Sequence, residues 1–108
     1  MNVTLQIKKI NFDLILKGTK KNEFREPSLF NKRLLLKDRG DGMKEGNTDI
    51  KFIQFINGYS KDARKLLVEV LLIRPVNFTK NTELPEDNFI ALEGQKAIHI
   101  SLGNIVNT

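Results

Sequence analysis

Residues 97–106 read AIHISLGNIV, and their alternation decides the fold class. Ile98, Ile100 and Leu102 fall on one side of an extended chain and Ala97, His99 and Ser101 on the other, which is the period-two pattern of a strand in a sheet. The period recurs at the opposite end, where Val3, Leu5 and Ile7 alternate with Thr4, Gln6 and Lys8. Between these ends, residues 65–76, KLLVEVLLIRPV, are rich in Val, Ile and Leu and run out at Pro75, which predicts the best-buried strand of the sheet. Residues 50–59, IKFIQFINGY, supply another strand through Ile50, Phe52 and Phe55, with Asn57-Gly58 marking a reversal.

Residues 32–38, KRLLLKD, are apolar in the middle and bounded by charge, the pattern of a short buried strand, with Leu29 and Phe30 as an anchor ahead of it. The stretch 38–47, DRGDGMKEGN, has glycines and charges without an apolar period and predicts a loop. Its acids lack the alternating ligand set and terminal Glu of a calcium loop.

Helical spacing is short. Phe12, Ile15 and Leu16 follow Asn11 and precede Gly18, predicting a helix over 12–17 with Asn11 as its cap and Gly18 as the left-handed residue that ends it. Pro85 with two following acids, and Gly94 beyond, predict a second helix over 85–92. Five or six strands, these helices and no βαβ repetition predict an α+β domain: a small, mostly antiparallel β-barrel with one or two short helices at the rim.

The chain has 108 residues, which suits a single domain, 1–108. With 40% hydrophobic and 29% charged residues it reads as a soluble globule, and no apolar run is long enough to span a bilayer. Cysteine is absent, so disulfides and thiolate chemistry are excluded. The opening MNVTLQIKKINF lacks the apolar core of a secretory signal and predicts a cytoplasmic protein. A lone His99 builds no multi-histidine metal site, and no phosphate-cradling glycine loop or nucleophile elbow occurs, so neither metal nor cofactor is implied.

Charge is uneven. Nine of the 18 basic residues but three of the 13 acids lie in residues 1–37, so the net +5 of the chain is carried by its first third. Such a field attracts phosphates and polyanions, although a solvated surface has the same charge. The densest run is KGTKKNEFR, 17–25. On a strand, Lys21, Glu23 and Arg25 share one face, with Asn22, Phe24 and Glu26 on the other. Arg25 offers a planar fork to a phosphate or carboxylate, Lys17, Lys20 and Lys21 act as point charges, and Glu23 pairs with Arg25 or Lys21. The alternative is a surface ion-pair row. Tyr59, next to the Asn57-Gly58 turn, is a candidate ring for stacking a base, whereas Phe30 suits ordinary packing. For His99, a half-buried strand position is the plainer reading.

The same run resembles the signature of the ASCH family, part of the PUA-like group of small β-barrels. That pattern places a glycine after a short apolar helix, a lysine two residues on, an acidic or hydroxyl residue five on and an arginine seven on. Gly18, Lys20, Glu23 and Arg25 match it, preceded by Phe12, Leu14, Ile15 and Leu16. VEVLLI and IHISLGNIV fall where the family has core barrel strands. The resemblance implies a basic cleft, edged by Lys20, Glu23 and Arg25, that accepts RNA or a nucleotide-like ligand. Some members resemble amidohydrolases that remove an acyl group from a modified cytidine with a lysine, a threonine and a glutamate. Lys20 matches the lysine, Glu23 stands where the threonine would be, and Glu69 is the candidate for the glutamate. A noncatalytic binding module, an enzyme of this kind acting through Lys20, Glu23 and Glu69, and a protein-interaction domain are the three readings.

Overall fold

Alternating apolar residues become paired strands in the computed structural model, which describes residues 2–106. The elements run β1 (Asn2–Gln6), α1 (Lys9–Leu16), β2 (Asn22–Arg25), α2 (Leu29–Leu35), β3 (Leu36–Asp38), β4 (Lys44–Gly46), β5 (Phe52–Asn57) and β6 (Arg64–Asn77). They continue with β7 (Thr82–Leu84), a 3-10 turn (Pro85–Asp87), β8 (Phe89–Ala91) and β9 (Lys96–Ile105). The fold is α+β and mostly strand. A five-stranded sheet has the order β1-β5-β6-β9-β2, and β3-β4 and β7-β8 form two-stranded ribbons. β1 and β5 are parallel and the other pairs antiparallel. In this order β1 and β2 are the two edges of the main sheet.

Val3, Leu5 and Ile7 from the first alternation meet Phe12 and Ile15 of α1, Ile53 and Phe55 of β5, and Ile98, Ile100 and Leu102 of β9 in one core. Asn57 and Gly58 start the reversal from β5 into β6, with Gly58 at φ +113°. No helix among the described residues is long and apolar enough to cross a membrane.

Several elements differ from the expectation. α1 starts at Lys9, with Lys8 at the cap position and no side-chain cap, so Asn11 lies within the helix. The first third holds a second helix: Ser28 accepts a hydrogen bond from the Asn31 amide and opens α2, so 32–38 is mostly helix and only its last three residues form β3. Leu35 and Leu36 are buried, while Leu29 and Phe30 are 63% and 67% exposed and anchor nothing. Residues 38–47 are not wholly loop, because β4 returns along β3. β4 also sits against β6: a Cβ on Gly46 would lie 1.7 Å from the carbonyl oxygen of Ile73, so this contact needs glycine.

β6 is less buried than β9. Register shifts between Val68 and Val70 and between Val70 and Leu72 break its alternation and leave Leu71 and Leu72 exposed. β6 does not stop at Pro75, which pairs with Ile98 of β9. Beyond Glu69 the ladder to β5 has ended, so proline's missing N–H costs no pairing there. Residues 85–92 form the 3-10 turn and β8 instead of a helix, because Asn88 takes a left-handed φ of +51° directly after the turn.

Candidate functional site

The site begins where α1 ends. Gly18, at φ +81°, lets the amides of Thr19 and Lys20 both turn back onto the Leu14 carbonyl, and the chain enters β2 with Lys20 directed inward. β2 then pairs with β9 so that Glu23 faces Ile100 and Arg25 faces Ile98 across the ladder. Partners across a ladder share a face, so this charged pair stands on the side of the sheet that carries the core.

Lys20 and Glu23 are accordingly buried, at 3% and 5% exposure. The Lys20 ammonium donates to the carbonyls of Asn22 and Asp87 and lies 3.3 Å from Glu23 Oε1. Glu23 Oε2 receives Arg25 Nε at 3.0 Å and Nη2 at 2.9 Å. Arg25 Nη2 also donates to the Gln6 carbonyl at 2.8 Å, which ties the two edge strands of the sheet together. Charges taken from water in this way are costly unless paired and hydrogen-bonded, and here one carboxylate holds two cations in fixed positions. Glu23 pairs with Arg25 as expected, and its second partner is Lys20 in place of Lys21.

On the other face of β2 a second polar chain forms. Asp87 is 1% exposed, and its Oδ1 accepts from the backbone amides of Lys21 and Asn22 at 2.9 and 3.0 Å. Its Oδ2 accepts from Asn22 Nδ2 at 3.1 Å. Asn22 Oδ1 is 2.7 Å from His99 Nε2, and Arg74 Nε donates to His99 Nδ1 at 3.2 Å. Since Nδ1 accepts, the proton of a neutral imidazole sits on Nε2 and points at Asn22. His99 stacks on Phe24 at a centroid distance of 5.0 Å, and Phe24 stacks on Phe89 at 4.0 Å.

Burial pushes the His99 pKa below its ordinary 6.5, the Arg74 charge lowers it further, and Asp87 opposes both. The unfolded chain therefore takes up this proton first as pH falls. The stability that follows from it is complete above about pH 6.5 and is lost as pH drops through the lowered folded value. Urea unfolding between about pH 7.5 and pH 5.5 is expected to show this fall, and His99→Gln to remove that component.

A cleft of about 440 Å³ opens between the end of β1, the start of α1 and β2. Glu23, Glu26, Lys8 and Arg25 line it with Phe24, Asn11, Asn31 and Asn88, so its two cations are matched by two carboxylates and the cleft is not itself strongly basic. Asn88 Nδ2 donates to Asn11 Oδ1 at 3.1 Å, holding one wall. A neighbouring hollow of about 350 Å³ is lined by Tyr59 and Asn57 and shares Gln6, Ile7 and Lys8 with the cleft. Tyr59 is 91% exposed.

The expected site residues therefore separate. Glu23 and Arg25 line the cleft, Lys20 lies buried beside them, and Tyr59 stands in the adjoining hollow. Lys17 and Lys21 are exposed and line neither. Glu69 sits on β6, where Oε1 is 3.3 Å from the Asn104 amide. No protein-family model matches the chain, and no curated protein or solved structure matches it either.

Asp87, Asn22, Arg74 and Lys8 carry the geometry yet had no distinguishing sequence signal. Asp87 reads only as an acid at a helix start. Its role depends on a contact across 65 positions of sequence with Asn22.

Proposed function

We propose that this protein is a binding module for RNA or a nucleotide-like ligand, built as a PUA-like barrel of the ASCH kind and working in the cytoplasm. The observation that carries the reading is continuity: the Tyr59 hollow and the Glu23–Arg25 cleft share the Lys8 segment, so a stacking ring, an exposed cation and an oriented guanidinium follow one another. An exposed ring stacks any base for about 1–3 kcal/mol. Exposed Lys8 suits a phosphate, Arg25 has only Nη1 to offer because Nε and Nη2 are held by Glu23 and the Gln6 carbonyl, and the amides of Asn11, Asn31 and Asn88 suit the donor and acceptor edges of an unpaired base. The positive first third of the chain supports the same ligand class. The Arg25 bridge from β2 to Gln6 supports the barrel by linking the sheet's edges.

The amidohydrolase reading has less support. It needs Lys20 to meet a substrate, but that ammonium is engaged by two carbonyls and Glu23, and the Glu69 carboxylate lies at the Asn104 amide.

Fluorescence titration with a mixed single-stranded RNA of about ten nucleotides tests the proposal. Affinity is expected to fall with salt by about 0.7 log units per phosphate contact, and Lys8→Ala to reduce the slope by about one contact. Tyr59→Ala should weaken binding by about 5- to 100-fold. Absence of any RNA or nucleotide binding at low salt would overturn it.

A further inference from the structure

A second cleft, of about 490 Å³, opens on the face of β2 that carries Asn22 and Phe24, and its walls include Arg74, Asn77, Phe78 and His99. We infer that it binds a small planar aromatic molecule carrying one phosphate or carboxylate, with the anion on Arg74 and the ring against Phe78. This inference does not rest on RNA binding at the Tyr59–Arg25 cleft.

The register places the site. Phe24 pairs with His99 across β2 and β9, and His99 pairs with Arg74 across β9 and β6, so the three side chains stand in a row on one face. Arg74 is exposed and has no carboxylate partner among the described residues; its Nε donates to His99 Nδ1. A neutral imidazole orients a guanidinium without cancelling its charge. The orientation is secured from behind: His99 is set by Asn22, Asn22 by Asp87, and Asp87 by two backbone amides. Asp87 is the anion of this chain, but it is spent on amides at the far end. The guanidinium amino groups are thus held at the cleft with an unanswered positive charge, in the planar geometry that fits an oxyanion.

The apolar half of the site is aromatic. Phe24 has Phe89 stacked at 4.0 Å and His99 at 5.0 Å, so it serves as a packed wall. Phe78 meets Phe24 and Phe89 at 58° and 40°, outside the stack. Phe78 and Arg74 border the same cleft, so a ring against Phe78 can carry its anionic substituent within that cleft to Arg74. The volume falls in the range of small-molecule sites, which combine apolar walls with a few oriented polar groups.

Site-resolved NMR titration separates this cleft from the first. The probes are adenosine 5′-monophosphate, indole-3-acetate, adenosine and inorganic phosphate. Saturable shifts are expected at the Arg74 Nε–H, the His99 ring and the Phe78 ring with one or both of the first two probes. Adenosine and phosphate alone should bind there at least about tenfold more weakly, and Arg74→Ala should cost at least about tenfold. Phe78→Leu, which keeps an apolar residue but no ring, should also weaken binding. The stronger of the two ring-bearing anions shows which of these two ring-and-anion combinations the cleft prefers. Responses at the Lys8 and Asn11 amides report the first cleft, so either site can fail while the other stands. No saturable shift at Arg74 and Phe78, equal binding of phosphate alone, or affinity unchanged in Arg74→Ala with an otherwise native spectrum would overturn the inference.

Discussion

Asp87→Ala is expected to destabilise the fold by about 4 kcal/mol, because a carboxylate that is 1% exposed and accepts three hydrogen bonds is removed from donors that depend on it. The carboxylate accepts three hydrogen bonds, two of them from the backbone amides of Lys21 and Asn22. Alanine takes the acceptor from those part-buried donors, and each bond to a charged group carries about 1.5–3 kcal/mol. The contributions are not additive, which is why the expected total lies well below their sum. Asp87→Asn tests the direction of the chain. It keeps one oxygen for the backbone amides but sets a second NH₂ group against Asn22 Nδ2. Asn22 must then reverse its amide, which turns a donor toward His99 Nε2 and moves the imidazole proton to Nδ1, against the Arg74 Nε–H. Urea denaturation is expected to show a loss for Asp87→Asn of about half that of Asp87→Ala. Nitrogen-15 shifts should show His99 protonated at Nε2 in the native protein and changed in Asp87→Asn. A loss under about 1 kcal/mol in Asp87→Ala would contradict the buried network.

Lys20→Met is expected to cost about 3 kcal/mol, near the upper end for a single substitution. The methionine fills similar volume, so the cost arises from chemistry: the carbonyls of Asn22 and Asp87 lose their donor and Glu23 keeps Arg25 alone. Glu23→Gln made in the Lys20→Met background should cost less than it does in the native protein, giving a coupling energy of about 1 kcal/mol or more in a double-mutant cycle. Additive losses would show that Lys20 and Glu23 do not stabilise one another, and would contradict the reading of one carboxylate shared between two cations.

The strands were legible where one face meets the core. Val3, Leu5 and Ile7, and later Ile98, Ile100 and Leu102, are spaced for a sheet and are buried in it. Gly18 was legible because its left-handed φ is required at the end of α1. α2 was hidden because LFNKRLL packs through the adjacent Leu34 and Leu35 and leaves Leu29 and Phe30 in solvent, so its apolar content resembles a strand and no helical stripe is visible. β6 was overrated for a related reason: its Val, Ile and Leu content is high, but the two register shifts turn Leu71 and Leu72 outward.

The site was legible only in part. Alternation along β2 correctly grouped Glu23 with Arg25, since i and i+2 share a face. It could not show that this face is the core side, or that Lys20 reaches Glu23 while Lys21 turns to solvent. That depends on where Gly18 and the β2–β9 register set the strand. The Arg74–His99–Asn22–Asp87 chain joins four distant parts of the sequence through register alone, and no local pattern encodes it.

The most direct test of a nucleic-acid surface is a site-mapped NMR titration with an unstructured RNA of about ten nucleotides at low salt. Saturable shifts concentrated at Lys8, Asn11, Arg25 and Tyr59, weakening together as salt is raised, are the predicted result. Silence at these positions, or RNA binding that maps to a different part of the protein, would contradict it.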